Sequence, residues 1–194
     1  MLGNAAVAMW WDVAPEVRAE WEEWHSSEHM PERLAIPGFL RGTRWAAISG
    51  EPSYFVLYEV TGLDTITGGA YLGRLNHPTP WSRKMMPHHR NMVRSLCLVR
   101  EGYGGGIPTV MATVRLSGSI ELPRGKGLTS AHLLESQPMP AQTTEQKIRG
   151  GDASADWVLL VGGYDAQAVA AAAMPEGIVG FYRPAYSLSA GEIG

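Results

Sequence analysis

Hydrophobic positions along residues 1–103 fall into short runs separated by proline, glycine and acidic residues, in an order that predicts strand, helix, strand, strand, helix, strand. Residues 5–12 form an apolar run of the kind that fills a buried strand. Pro15 suits a first helical turn, and Val17, Trp21, Trp24 and Glu28 recur at helical spacing over residues 16–28. Pro31 is expected to end or kink this helix, and Pro37-Gly38 to close it. Residues 39–49 and 54–61 flank the turn-forming Gly50-Glu51-Pro52-Ser53 and read as a β-hairpin. Asp64 is placed to cap a second helix running to residue 75. Residues 92–100 alternate Met92, Arg94, Leu96, Leu98 and Arg100 with Val93, Ser95, Cys97 and Val99, the pattern of a last strand.

The same outline returns in weaker form. Strands are expected at 109–116, 128–135 and 157–163, an alanine-rich helix at 166–173 capped by Asp165, and a closing strand at 178–189. The first helix has no counterpart, because residues 117–126 are too few and too rich in glycine. The closest local echo sets Leu57-Tyr58-Glu59-Val60 ahead of Asp64 against Leu160-Val161-Gly162-Gly163 ahead of Asp165. The chain therefore reads as two tandem ferredoxin-like α+β halves, residues 1–103 and a degenerate 108–194. Residues 104–107 link them, within the glycine-rich bridge 101–108. Residues 137–156, polar and carrying Pro138, Pro140 and Gly150-Gly151, read as a surface loop or a lid, the loop being the plainer choice.

Composition narrows the class. With 45% hydrophobic and 18% charged residues the 194-residue chain has the make-up of a folded globular protein. Its formal net charge of -3 gives no footprint for nucleic acid or an anionic membrane surface. The opening MLGNAAVAMWWDVAPEV lacks a basic leader region and Asp12 breaks its apolar run, so neither a signal peptide nor a spanning helix is expected, and cytoplasm is the default location. Cys97 is the lone cysteine, which excludes an internal disulfide and a cysteine-cluster metal site.

The run Trp24-His25-Ser26-Ser27-Glu28-His29-Met30-Pro31, followed by Ile36-Pro37-Gly38-Phe39 and an arginine-bearing strand at 40–45, resembles the EthD-like branch of the dimeric α+β barrel superfamily. That branch carries an aromatic residue, a histidine, a proline and then a Pro-Gly turn at this place. The resemblance implies two ferredoxin-like units meeting across their sheets to close a barrel, which a tandem repeat would allow within one chain. The eroded second half departs from that pattern and would serve mainly as the partner wall, so one site per chain is expected, in the first half between sheet and helices, where the resemblance singles out His29. The resemblance does not select a reaction, since related barrels include muconolactone isomerases, polyketide cyclases and haem enzymes.

Five of the six histidines and six of the seven tryptophans precede residue 106, which points to one polar pocket with aromatic walls. His25 and His29, four apart, share a helix face. As metal ligands they would need Glu28, His88 or His89 as a third. As an acid–base group, His29 alone suffices, its imidazolium favoured by the helix end before Pro31. The plain alternative is a structural bond from His29 to a backbone carbonyl. Tyr54 and Tyr58 fall on one strand face and either phenol could donate to an oxyanion. The proline-broken stretch from Asn76 to Arg90 displays His77, His88, His89, Trp81 and Arg83 and reads as a lid or as a simple connection.

No nucleophile elbow, phosphate loop or dinucleotide fingerprint occurs. The expectation is a cofactor-independent acid–base enzyme of isomerase, cyclase or lyase type acting on a small anionic cyclic or aromatic compound, without metal. Its catalytic residues would be His29, His25, Tyr54 and Tyr58, with Trp24, Arg44, Trp81, His77, His88 and Arg90 binding substrate through stacking and guanidinium–carboxylate contacts. The alternatives are a haem-binding barrel and a non-catalytic small-molecule-binding protein. A homodimer is compatible with all three.

Overall fold

The structure, a computed structural model, describes residues 1–138, 142–173 and 177–193. Its strands are β1 (Ala5–Val13), β2 (Phe39–Ala47), β3 (Tyr54–Val60), β4 (His89–Gly104), β5 (Val110–Leu116), β6 (Leu128–Gln137), β7 (Trp157–Gly163) and β8 (Ile178–Ser189). They close into a barrel in the order β1-β3-β2-β8-β5-β7-β6-β4, with antiparallel pairing throughout. Opened at its two seams, β2–β8 and β4–β6, the barrel gives β4-β1-β3-β2 and β8-β5-β7-β6. These are the same ferredoxin-like order twice. One chain supplies both walls, so closure itself asks for no second copy.

Closure explains the apolar run Ala5–Trp11 that opens β1, every residue of which is buried. Ala6, Ala8 and Trp10 face the lumen, where they meet Trp45, Phe55, Leu57, Cys97, Leu160 and Tyr182. Ala5, Val7, Met9 and Trp11 face outward into the layer beneath the helices. A strand covered on both sides has no polar face to show.

The outer layer of the first half opens with a 3₁₀ turn at Pro15–Val17, followed by α1 (Arg18–Trp24), a π-helical turn (His25–His29) and α2 (Met30–Leu34). Of the two outcomes expected at Pro31, an ending is ruled out, since the helix runs on to Leu34. The Met30 amide reaches back five residues to the His25 carbonyl, and Pro31 falls in the first turn of α2, where a missing N–H costs little. Next come α3 (Leu63–Thr67) and α4 (Gly69–Asn76), separated by an extended Gly68. Gly62 occupies the cap position of α3, so Asp64 is an acidic first-turn residue and not the cap expected of it. Thr79 caps α5 (Pro80–Met85), its hydroxyl accepting from the Ser82 amide. The proline-rich stretch is thus ordered helix anchored by Ser82, Met85 and Met86.

In the second half residues 117–127 form no helix, and Asp165 caps α7 (Ala166–Ala172) by accepting from the Gln167 and Ala168 amides. The bridge is shorter than its composition suggests, because β4 stays paired with β6 through Gly104. Gly102 is there for packing, since a Cβ on it would lie 2.4 Å from His132 Cδ2. The stretch 137–156 contains α6 (Thr144–Ile148), while Pro140, like the terminal Gly194, lies outside the described residues. No helix among the described residues is long and apolar enough to cross a membrane.

At Gly42 the sheet and a helix approach closely, and an added Cβ would stand 2.7 Å from Tyr58 Cε1 and 3.1 Å from Met30 Cγ. Both neighbours are buried and cannot step aside. Gly42→Ala is therefore expected to lower unfolding free energy by about 1–3 kcal/mol in chemical denaturation, and an unchanged midpoint would contradict this packing.

Candidate functional site

The layer between the first-half sheet and its helices collects most of the chain's aromatic and titratable side chains. Trp21, His25, His29 and Arg33 stand at a constant spacing of four. In a regular α-helix such a stripe drifts by about 40° per step. The wider π turn over His25–His29 winds the other way and holds the stripe against the sheet. Trp21 stacks on His25 with centroids 4.9 Å apart, Trp24 lies 4.6 Å from His29, and the two histidine rings are 5.5 Å apart.

Hydrogen-bond partners fix the state of two histidines. His89 has its Nδ1 3.0 Å from the Met86 carbonyl, which can only accept, and its Nε2 receives the Trp21 indole N–H at 3.3 Å. It is therefore the neutral Nδ1–H tautomer with both nitrogens engaged, and burial lowers its pKa to about 3. His25 Nδ1 faces the Arg44 guanidinium at 3.4 Å, a group that can only donate, so the His25 proton sits on Nε2. Burial first, and then Arg44, hold His25 well below the usual imidazole range.

His29 differs. It is partly exposed, its Nδ1 is buried, and that nitrogen has no hydrogen-bond partner. Burial and the neighbouring Arg33 lower its pKa well below the ordinary value, so it is a neutral base and not the imidazolium expected. The reason is local: the helix continues to Leu34, so His29 meets cations and no helix end. The structural alternative, a bond to a backbone carbonyl, is absent among the described contacts. Tyr58 stands on the same layer with its hydroxyl buried and unpartnered, as is one terminal nitrogen of Arg33. Burial raises the Tyr58 pKa, keeping the phenol protonated.

Tyr54 shares this strand face, as its spacing predicts, and its hydroxyl donates to Glu22 Oε1 at 2.5 Å. Burial and that carboxylate push its pKa up. Arg44 lies between the rings of Trp21 and Tyr186, at 5.6 and 5.8 Å, and also donates to the Glu22 carbonyl. Trp24 donates to Glu28 and Ser82, and Thr79 donates to the same Glu28 oxygen.

Of the residues expected to bind substrate, Trp24 and Arg44 join the cluster. Trp81 is half-buried and donates to Glu20 on the outer helix face. His77 is exposed at the end of α4, with Nδ1 against the Gly73 carbonyl, and Arg90 is exposed on β4; neither reaches the histidines. His88 ends a short 3₁₀ turn and makes no ring contact with His25 or His29. The neighbouring His89 takes the inner position instead.

Sequence reasoning missed Arg33, although it continues the four-residue stripe, and it missed Glu145. Glu145 projects from α6 and forms a buried ion pair with Arg33, so the stretch 137–156 carries a functional group from the second half onto the first. Arg149 and Gln146 grip Asp152 beside it. Among the described residues no group of three histidine, cysteine or acidic side chains is close enough to hold a metal ion.

Burial of neutral histidines has a consequence for stability. The folded-state pKa values of His25, His29, His89 and His132 all lie below the unfolded value of about 6.5, His89 at about 3 and His132 at about 4. As pH drops below 6.5 the unfolded chain takes up protons that the folded chain refuses. Stability is thus complete above that pH and is lost on acidification, by up to about 1.4 kcal/mol per pH unit for each histidine. The melting temperature is expected to fall steeply between about pH 6.5 and 4. A flat profile across that window would contradict the neutral assignment.

No family model and no curated protein matches the sequence. Solved structures do match the fold. An anthrone oxidase-like protein aligns over 97% of this chain and 94% of its own, with TM-score 0.59 and 11% identity. A candidate monooxygenase from Fusobacterium nucleatum aligns over 97% and 96%, with TM-score 0.55 and 7% identity. A candidate chlorite dismutase aligns over 99% and 98%, with TM-score 0.54 and 11% identity. At these identities the likeness speaks for architecture alone. With the doubled strand order and the closed sheet, it makes this chain a member of the dimeric α+β barrel fold in which a single polypeptide provides both ferredoxin-like halves.

Proposed function

We propose that the chain is a cofactor-independent acid–base enzyme acting on a small anionic aromatic compound, with His29 as the base. The observation that carries this reading is the set of buried groups left without partners on one layer: His29 Nδ1, the Tyr58 hydroxyl and an Arg33 terminal nitrogen. An imidazole nitrogen can accept a proton, while a phenol and a guanidinium can donate to the oxyanion this creates. A ring with one dry nitrogen and one wetter edge can take a proton inside and release it outward. In this reading residues 1–103 carry the site, and residues 108–194 contribute Glu145, which holds Arg33 in place.

A deprotonated carbon has two fates. Reprotonation elsewhere gives the isomerase or lyase outcome. The names of two structural neighbours, anthrone oxidase-like and candidate monooxygenase, favour a second reading in which the carbanion meets dioxygen and a CH₂ group becomes a carbonyl with release of water. Both readings share the first step.

A haem, as the wider fold family would allow, does not suit these residues. The layer between sheet and helices that holds the histidines is packed with Trp11, Trp21, Trp24, Met30 and Met86, none more than 2% exposed, so a flat porphyrin would have to displace them. His89 has no free nitrogen, and His25 presents its Nδ1 to a guanidinium.

Proton abstraction is testable before a substrate is known. In D₂O, a panel of enolisable phenolic ketones should exchange carbon-bound hydrogen in the presence of the protein, followed by NMR. His29→Ala and His29→Gln should each lower that rate by roughly 10²–10⁴-fold with the melting temperature near that of the parent. Exchange undiminished in His29→Gln would reduce His29 to a structural residue. Oxygen uptake with the same panel separates the two fates.

A further inference from the structure

A cleft of about 320 Å³ opens between α1 and the β2–β8 seam, and neither the histidines nor Tyr58 line it. Its walls carry Arg18, from the first position of α1, and Arg183, which stands across the seam from Ala46 in register. Both arginines are exposed, and neither takes part in any of the ion pairs of the described residues. Glu22 is the one acid that lines the cleft, its carboxylate accepting from the Tyr54 hydroxyl, and Asp12 lies behind the lining Ser53, whose amide and hydroxyl donate to it. Behind Glu22 lies Arg44, only 6% exposed, whose Nε is buried without a partner. The bed is flat, since Ala46, Ala47 and Gly50 present nothing larger than a methyl group.

An excess of positive charge gathered at one cleft of an acidic protein calls for an anion. We propose that this cleft is a carboxylate-binding site, in which Arg18 and Arg183 hold a small planar carboxylate from opposite walls over the Ala46–Ala47 bed. Guanidinium forks match the two oxygens of a carboxylate, and a volume of this size suits a single ring. The inference goes beyond the acid–base reading and uses other residues, so either can fail alone.

Calorimetric titration of the intact chain with benzoate, and with its uncharged isostere benzamide, tests it. Benzoate should bind saturably at one site, at least about tenfold more tightly than benzamide and more weakly as salt is raised. Arg18→Gln and Arg183→Gln, both at exposed positions, should each weaken benzoate by about tenfold, and the double variant should abolish binding. His29→Gln should leave it unchanged. Equal affinity for acid and amide, no effect of the arginine variants, or no saturable heat with benzoate to millimolar concentration would overturn the site. Loss of benzoate binding in His29→Gln alone would move the carboxylate into the inner layer and overturn it equally.

Discussion

The candidate site in this chain depends on the two seams where β2 meets β8 and β4 meets β6. Each half alone would be a four-stranded sheet with two open edges and one uncovered apolar face, the arrangement most prone to pair with other chains. Zipping the edges together removes all four and turns the uncovered faces into a dry lumen packed with Trp10, Trp45, Phe55 and Tyr182. With the sheets fixed, the outward face of β1 and β3 becomes a rigid floor. The histidine stripe is held over that floor by Trp11, Trp21 and Trp24, side chains too large to shift without cost. The β4–β6 seam also brings the β6–β7 connection across, so that Glu145 of α6 can reach Arg33.

That rigidity sets the electrostatics. The layer beneath the helices holds Arg33 and Arg44, each no more than 6% exposed, beside His25 and His29, with Arg149 beside His89. Removing water disfavours charge on every histidine, and the guanidiniums add repulsion of the same sign. The result is a set of neutral rings beside fixed positive charge, which suits a base whose product is an anion. Each ring is distinguished by its partners: His89 is closed off by Met86 and Trp21, His25 is turned toward Arg44, and His29 keeps a free inner nitrogen.

Much of the architecture was legible in the sequence because hydrophobic alternation and turn residues act locally. Strands β7 and β8 coincide with their apolar runs, and Asp165 caps its helix as such a residue should. Local rules failed where a tertiary or register effect intervened. Pro31 reads as a possible helix end although the helix runs on from a π turn to Leu34, Asp64 reads as a cap although Gly62 takes that place, and the glycines of the bridge read as a linker although Gly102 makes room for His132. Within the candidate site, four-residue spacing put His25 and His29 on one helix face, and strand alternation put Tyr54 and Tyr58 on one strand face. The choice of His89 over His88, and the arrival of Glu145 from the other half, depend on the seams and leave no mark in a local window.

The protonation state of His29 decides between a base and a bystander. Long-range ¹⁵N–¹H correlation spectra of histidine-labelled protein, recorded from pH 7.5 down to the onset of acid unfolding, resolve each ring nitrogen and its tautomer. The His29 signals should stay those of a neutral ring well below pH 6.5, with its inner nitrogen lacking the shift of a hydrogen-bonded one. A ring that becomes imidazolium near or above pH 6.5, or an Nδ1 already engaged by a protein donor or acceptor, would contradict the assignment of His29 as a free, neutral base.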